Sequence, residues 1–346
     1  MEPFHYQHLP KPEQAIYHAI KTGLVALDDQ ILVPYTEPAR LSMIFFLIRL
    51  DCPEIFYAVT FKLRKWPQSD HLEFLPEYLF DKKTIREQQR AMKARVEKLA
   101  RVAAGKTELE KELYIHDFIC ENIHYDKLKK PYSHEIIGPL GHGVGVCEGI
   151  AKSVKILCDA LGLWCIIVIS EANPEKKIKY RHAWNIIKIG KNYYHFDATF
   201  DLSLSKHQLR HDYFNLGDDA IFRDHEPIMT SLVACPDHSH FYYLEKKLSF
   251  TKTEEVKKRA LQAAKKKKPF LFHWRGGYLT REVLKELLIG IEEAAKEKGK
   301  IAKVSVNWPQ AVIYAIFEEI DDSISMNDLE NPDGVELEQA NEGELL

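Results

Sequence analysis

The sequence lacks the features that mark several classes of protein. Its apolar stretches, such as residues 43–50 with Arg49 inside, are far too short to cross a lipid bilayer. Its six cysteines include no C-x-x-C pair, which argues against a structural zinc site and against a dense disulfide framework. The first twelve residues have no apolar stretch behind a basic start, so they indicate no secretory signal. We therefore expect a cytoplasmic protein with reduced thiols, no membrane association and no metal or other cofactor.

The charge of the chain is unevenly distributed. The formal net charge is −3, but residues 318–346 contain eleven Asp and Glu and neither Lys nor Arg. This composition predicts a solvated, disordered acidic tail. The preceding part is basic, yet its Lys and Arg are spread along the chain without a recognisable nucleic-acid motif. We therefore expect no nucleic-acid partner.

A chain of 346 residues is long enough for two or three domains. Helical and strand periodicities alternate in the first hundred residues and again in the last third, where residues 242–250 are predicted as a strand. The polar residues that can carry chemistry lie between these two parts. We predict an α+β fold in four segments, namely an N-terminal α/β domain (1–105), a central core (106–226), a C-terminal α/β domain (227–317) and the acidic tail (318–346).

A glycine-rich stretch, residues 143–149, leads into a predicted helix over residues 148–161 and contains Cys147. The unpaired backbone N–H groups at the start of a helix, and the positive end of its dipole, favour an anion there. A thiol at this point is a better nucleophile at neutral pH, and the same N–H groups can hold the oxyanion of a tetrahedral intermediate. The alternative is that Cys147 is a small buried hydrophobic residue, like Cys158.

Two predicted strands bring a histidine and an aspartate together. His182 begins one strand and Asp197 ends the next, with a turn around residues 190–192. A two-residue turn places both side chains on one face of the sheet, one diagonal step apart. A three-residue loop without a bulge places them on opposite faces. In the first case Asp197 can accept a hydrogen bond from His182, which fixes the tautomer and stabilises the imidazolium.

At these residues the chain resembles the bacterial members of the transglutaminase-like superfamily, which are papain-like thiol enzymes. The resemblance is carried by Ile115-His116-Asp117-Phe118-Ile119, Gly145-Val146-Cys147-Glu148-Gly149, Arg181-His182-Ala183-Trp184-Asn185 and Tyr194-His195-Phe196-Asp197-Ala198. The family's order of Cys, then His about thirty-five residues on, then Asp about fifteen further, is also found here. One departure is Phe200, where Trp is commoner in the family.

The resemblance implies a core in which the helix bearing Cys147 packs on an antiparallel sheet. It implies a triad of Cys147 as nucleophile, His182 as base and Asp197 as the acid that orients the histidine. The implied activity is thiol-dependent acyl transfer on a carboxamide or peptide bond of a protein or peptide substrate. The attack of an amine or of water on the Cys thioester then completes a transamidation, a deamidation or a hydrolysis. Two alternatives stay open, a cysteine peptidase or amidase and a non-catalytic protein-interaction module on the same fold.

Further residues are candidates for the walls of the site or for an oxyanion donor, namely Tyr132, His134, Glu148, Trp184 and His195. Tyr132 and His134 lie in the loop before the nucleophile, where plain loop roles are equally open. Glu148 suits the helix dipole and could also contact substrate. Trp184 and His195 share the predicted sheet face of His182. On the same parity argument His195 is the reserve base and Asp201 the reserve acid.

Overall fold

A computed structural model of the chain describes residues 3–176, 181–226 and 233–320. These residues form helices and mainly antiparallel sheets, so the predicted α+β class is confirmed. None of the helices in these ranges is long and apolar enough to cross a membrane. The predicted acidic tail lies, from residue 321 onward, outside the described residues.

The N-terminal part combines helices with a three-stranded antiparallel sheet in the order β1-β3-β2. Its elements are α1 (Phe4–Gln7), α2 (Lys11–Ala26), β1 (Ile31–Pro34), α3 (Pro38–Asp51), β2 (Ala58–Arg64), β3 (His71–Tyr78) and α4 (Lys82–Ala103). Proline stands in the first turn of α2 and of α3, where its fixed φ suits a helix and its missing N–H is not needed. Asp81 caps α4 by accepting the backbone N–H of Lys83 and of Thr84, each at 3.0 Å.

The central part contains a four-stranded antiparallel sheet, β6-β7-β8-β9, in chain order. Its elements are α5 (Glu108–Asn122), β4 (His124–Tyr125), β5 (Val144–Gly145), α6 (Cys147–Ala160), β6 (Cys165–Ser170), β7 (His182–Ile189), β8 (Asn192–Phe196), α7 (Ala198–Leu204), β9 (Phe214–Leu216) and α8 (Asp218–Ile221). Short 3₁₀ turns occur at Pro131–His134 and Pro174–Lys176, and a π-helical turn at Ile137–His142.

Helix α6 packs on strands β6 and β7 through one apolar face. Ile150, Val154 and Leu157 are buried at helical spacing, and each such side chain contributes roughly 1.5–3 kcal/mol when fully buried. The side-chain amide of Asn185 on β7 donates to the carbonyl oxygen of Ala151 at 3.0 Å. The predicted core, with the Cys147 helix on an antiparallel sheet, is therefore confirmed.

The β7–β8 hairpin has the two-residue turn of the first predicted register. Ile189 pairs with Asn192 across the turn, and Gly190 has φ +61°, a left-handed conformation that glycine adopts without steric cost. The register places His182 and Asp197 one diagonal step apart on the same side. Asp197 does not end the strand as predicted, because β8 stops one residue earlier and Asp197 is the N-cap of α7.

The C-terminal part has a four-stranded sheet in the order β10-β11-β13-β12, in which only the β10–β11 pair is parallel. Its elements are α9 (Tyr242–Glu245), β10 (Ser249–Phe250), α10 (Thr253–Lys266), β11 (Phe270–Trp274), α11 (Arg281–Lys296), β12 (Lys300–Asn307) and β13 (Val312–Glu319).

The predicted strand over residues 242–250 is wrong for most of its length, because its first residues form the helical turn α9. Consecutive residues of a strand point to opposite faces of the sheet. Tyr242 and Tyr243 instead contact two adjacent residues: the Tyr242 ring stacks on His211 at 3.7 Å, and the Tyr243 hydroxyl donates to Asp212 at 2.7 Å. A helical turn allows both contacts.

Most of the buried apolar side chains in the described residues belong to three clusters. The N-terminal and central parts share the first, which extends from Leu9 to Phe214, and the C-terminal sheet and helices have the second. The third joins the other face of the central sheet, including Trp184, to Val312 of β13. The domain boundaries after residues 105, 226 and 317 stay a prediction.

Candidate active site

Cys147 is the first residue of α6 and is partly exposed, whereas the other five cysteines are buried. No side chain caps this end of the helix, so the backbone N–H groups of its first turn lack intrahelical partners. The loop before it is tied down because the N–H of Val146 donates to the carbonyl oxygen of Ser133 at 3.0 Å. Gly149 is required here, since a Cβ would lie 2.1 Å from that same oxygen.

His182, the first residue of β7, connects Cys147 to Asp197. Its Nε2 lies 2.6 Å from Oδ2 of Asp197, and its side chain lines the same cavity as that of Cys147. Burial alone would lower the pKa of His182, but Asp197 and Cys147 together raise it to about 10. The imidazolium form is therefore favoured at neutral pH, which is the state that stabilises a neighbouring thiolate.

Asp197 is held by four hydrogen bonds. Its Oδ1 accepts the backbone N–H of Thr199 at 2.8 Å and of Phe200 at 3.1 Å, as the N-cap of α7. Its Oδ2 faces His182 and also Nε2 of His225, at 2.9 Å. Burial would raise the pKa of Asp197, yet His182 and then His225 hold it well below its usual range. The carboxylate is thus ionised and fixed in orientation.

Cys147 and His182 line one cavity of about 590 Å³. Phe46 and Arg49 of α3 line it as well, and so does Tyr125 of β4. Burial and the nearby Cys147 raise the pKa of Tyr125, so its hydroxyl keeps its proton and remains a donor. The sequence analysis missed these three residues, because nothing in the local pattern of α3 or β4 shows that they face the nucleophile.

Two of the predicted lining residues, His134 and Glu148, lie on this cavity. Glu148 is engaged in ion pairs, at 2.8 Å with Lys152 and 3.2 Å with Arg49. Burial would raise the pKa of Glu148, but Lys152, and then His134 and Arg49, hold it well below the usual range. Tyr132 is not among the described lining residues, and its ring packs against His142 with the centroids 4.8 Å apart.

Trp184 and His195 lie behind His182 and do not line the cavity described here. The Trp184 ring stacks on His182 with centroids 5.7 Å apart, and its Nε1–H donates to Nδ1 of His195 at 3.0 Å. His195 is bonded on its other side to Asp218, at 2.8 Å. The reserve acid, Asp201, faces His116 at 3.0 Å. Neither reserve residue is therefore placed beside Cys147.

Among the residues that the structure describes, three groups of side chains are spaced closely enough to share an ion, with their ligand atoms within 4.8 Å of one another. They are His116, Asp117 and His211; His182, Asp197 and His225; and His195, Asp218 and Cys235. In each group an imidazole nitrogen already faces a carboxylate oxygen at hydrogen-bond distance. Hydrogen bonding accounts for these arrangements, and we assign none of them as a metal site.

Residues 96–198 match the family model of the transglutaminase-like superfamily. No curated protein matches the chain. Among solved structures, a proposed cysteine protease from Cytophaga hutchinsonii is similar at 20% identity and a TM-score of 0.26, over 40% of this chain and 61% of that one. A TGase is similar at 11% identity and a TM-score of 0.28, over 53% of this chain and 54% of the other. The chain thus spans little more than half of either protein.

The family match includes Cys147, His182 and Asp197 and ends one residue after the aspartate. Both structural similarities are too limited in identity and TM-score to add to it. The resemblance drawn from the sequence is confirmed by this match, and residues 96–198 are transglutaminase-like.

Proposed function

We propose that this transglutaminase-like protein is a thiol-dependent enzyme that transfers an acyl group from a carboxamide or peptide bond. The observation that carries the proposal is the position of Cys147: a partly exposed thiol at an uncapped helix start, on the same cavity as an imidazole that is itself 2.6 Å from a buried carboxylate. Such a set of nucleophile, base and orienting acid is the arrangement that activates a thiol.

In the proposed reaction the Cys147 thiolate attacks the carbonyl carbon of the substrate and forms a C–S bond. The carbonyl electron pair moves to oxygen, and the uncapped N–H groups at the start of α6 are positioned to stabilise this oxyanion. The C–N bond then breaks as His182 gives its proton to the leaving ammonia or amine. A thioester remains on Cys147.

The acyl group leaves in the second half of the reaction. Water or a primary amine gives a proton to His182 and attacks the thioester carbon, and the C–S bond breaks to regenerate the thiolate. With water the outcome is deamidation or peptide hydrolysis, and with an amine it is transamidation. We propose a protein or peptide as acyl donor, and a cytoplasmic location, where the six free thiols would stay reduced.

Alkylation with iodoacetamide at about pH 6, followed by mapping of the modified residues, tests the proposal without a substrate. We expect Cys147 to react much faster than the other five cysteines, because the imidazolium of His182 stabilises its thiolate. His182→Ala should remove most of this advantage, while the matched variant His195→Ala should keep it. A wild-type Cys147 that reacts no faster than Cys235, with no effect of His182→Ala, would favour the non-catalytic interaction module.

A second assay separates the two acyl acceptors. The purified protein is incubated with a glutamine-containing peptide, with and without a fluorescent primary amine, and the products are identified by mass spectrometry. Amine incorporation indicates a transamidase, and conversion of the glutamine to glutamate or cleavage of the peptide indicates a hydrolase. Products that persist in Cys147→Ala would contradict the proposed nucleophile.

A further inference from the structure

His225 lies between two carboxyl groups inside the protein. Its Nε2 is 2.9 Å from Oδ2 of Asp197 and its Nδ1 is 2.8 Å from Oδ1 of Asp224, and its side chain is only 1% exposed. An ionised carboxylate only accepts hydrogen bonds. Both ring nitrogens must therefore carry a proton to satisfy this geometry, and a doubly protonated imidazole is a cation.

The surroundings of His225 agree with a charged ring. Burial would lower its pKa, but Asp197 and Asp224 raise it above the ordinary histidine value. Within the described part of the chain, the other titratable groups that face it are His182, Tyr213 and His195, the first two with ring centroids 5.3 Å and 5.6 Å away. Phe200 and Trp184 complete the walls, at 4.5 Å and 5.0 Å between centroids.

The outer carboxylate is itself held in place by two parts of the chain. The Tyr213 hydroxyl donates to Oδ2 of Asp224 at 2.5 Å. The side-chain amide of Gln310, in the turn before β13, donates to Oδ1 of Asp224 at 3.4 Å and to the carbonyl oxygen of Ala220 at 3.3 Å. The C-terminal part thus supports the far end of a chain of contacts that begins at His182.

We propose that His225 is a positioning residue, a fixed buried cation that acts on Cys147 and His182 through Asp197. It shares with His182 the single oxygen Oδ2 of Asp197, and it adds one positive charge next to the thiolate–imidazolium pair. The positive charge of His225 therefore adds to that of His182 in stabilising the thiolate of Cys147. The inference rests on the proposed function of the triad and adds to it a residue that never contacts the substrate.

The variant His225→Gln in the full chain tests this role. It keeps an N–H donor for Asp197 but removes the charge. We measure the rate of Cys147 alkylation by iodoacetamide from pH 4 to pH 9, and we expect the midpoint of the rise to move up by about one pH unit, the order of magnitude expected for the loss of one nearby charge at an effective dielectric constant near 20. The plateau rate at high pH should stay within a few-fold of wild type.

His195→Gln is the matched control. His195 is also buried and also paired with a carboxylate, but burial lowers its pKa despite Asp218, so its replacement removes no charge. An upward shift in His225→Gln with none in His195→Gln supports the proposal. A midpoint that stays in place in His225→Gln, or that moves equally in both variants, overturns it, because packing alone would then explain the effect.

A measurement on the unaltered protein keeps the test decisive if His225→Gln does not fold. In ¹⁵N-histidine NMR spectra at pH 7, both ring nitrogens of His225 should show the shifts of a protonated imidazolium, and one unprotonated nitrogen overturns the proposal. Failure of the proposed function is recognised separately, because wild-type Cys147 would then show neither enhanced alkylation nor acyl transfer.

Discussion

Two sets of a thiol, an imidazole and a carboxylate among the described residues can be compared, because one of them opens to a cavity and the other is closed. The open set is Cys147, His182 and Asp197, and the closed set is Cys120, His116 and Asp201. In the closed set, Sγ of Cys120 is 3.7 Å from Nε2 of His116, and this nitrogen is 3.0 Å from Oδ2 of Asp201. Contact between these three residue types therefore does not by itself make a candidate active site.

The two thiols differ in exposure and in backbone environment. Cys147 is partly exposed at the uncapped start of α6, whereas Cys120 is buried near the end of α5, one turn after His116. Backbone N–H groups at that point of a helix are already bonded to the preceding turn, so none is left for an oxyanion. Burial also raises the pKa of Cys120, which keeps its thiol protonated. The open set therefore differs from the closed set in two respects: its thiol is accessible to a substrate, and backbone N–H groups without helical partners lie beside it.

The closed set has a structural role instead. Asp201 accepts the backbone N–H of Asp212 at 2.7 Å and of Tyr213 at 3.1 Å, while His116 also faces Asp117 at 3.1 Å. These bonds attach the segment before β9 to helices α5 and α7. A buried polar network that is fully bonded in this way favours one packing of the chain over others.

Replacing each thiol in turn should separate the two sets most sharply. Cys147→Ala is expected to lower kcat/KM by about four orders of magnitude or more, because only binding and the oxyanion donors remain. Cys120→Ala should leave kcat/KM within about threefold and lower the free energy of unfolding by about 1 kcal/mol. Steady-state kinetics on a model amide and urea unfolding measure both. A Cys120→Ala variant that folds but has no activity would contradict the structural role given to Cys120.

We expect the carboxylates of the two sets to differ in the same direction as the thiols, with the larger loss of activity on replacing the one in the open set. Asp197→Asn is expected to reduce kcat/KM by roughly 10³–10⁴-fold with little change in fold, because the amide carries no charge for the imidazolium and can favour the wrong tautomer. Asp201→Asn should stay within about tenfold of wild-type activity but lose roughly 2–4 kcal/mol of unfolding free energy. The same kinetic and unfolding assays apply, and the reverse ranking would transfer the orienting role to Asp201.

The smallest expected effect concerns Glu112, one turn before His116 on α5. Its side chain is fully buried and accepts the amide of Asn215 at 2.8 Å, and burial raises its pKa to about 8 against the opposing effects of Asn215 and His116. Between the usual value of 4.5 and about 8, the folded protein keeps a proton that the unfolded chain releases. Stability is therefore lost as the pH rises through this range.

Glu112→Gln removes this titration and keeps the hydrogen bond. We expect the variant to be more stable than wild type by roughly 2–4 kcal/mol at pH 7.5 and about equal to it at pH 4.5, as measured by urea unfolding at both values. The exposed Glu121→Gln on the same helix is the control. A difference that is the same at both pH values would show that Glu112 does not hold the extra proton.

Much of the fold followed from local signals. Pro38 marked the start of α3, and Gly190 lay in the turn that sets the β7–β8 register. The prediction of a strand over residues 242–250 was wrong because it rested on the aromatic composition of this segment alone. Its first residues became helical because two neighbouring tyrosines are anchored to the segment before β9, a contact that no local pattern contains.

The residues of the candidate site also divide into those that local sequence signals indicated and those that only tertiary contacts bring together. Gly149 and the hairpin spacing indicated Cys147, His182 and Asp197, because the geometry of a helix start and of a two-residue turn depends on nearby residues alone. Arg49 and Tyr125 line the Cys147 cavity from other elements, and His225 reaches Asp197 over 28 positions of sequence. Their spacing along the chain carries no information about these contacts.

The sequence by itself indicated that a thiol would lie at the start of a helix, and that a two-residue turn would place a histidine and an aspartate on one face of a hairpin, since both depend only on the period of a helix or a strand. Only the tertiary structure decided which thiol is accessible. Packing of α5 against α6 and α7 encloses Cys120, while α3 stops at the edge of a cavity that leaves Cys147 open. Exposure depends on how segments distant in sequence pack together, and local spacing does not encode that.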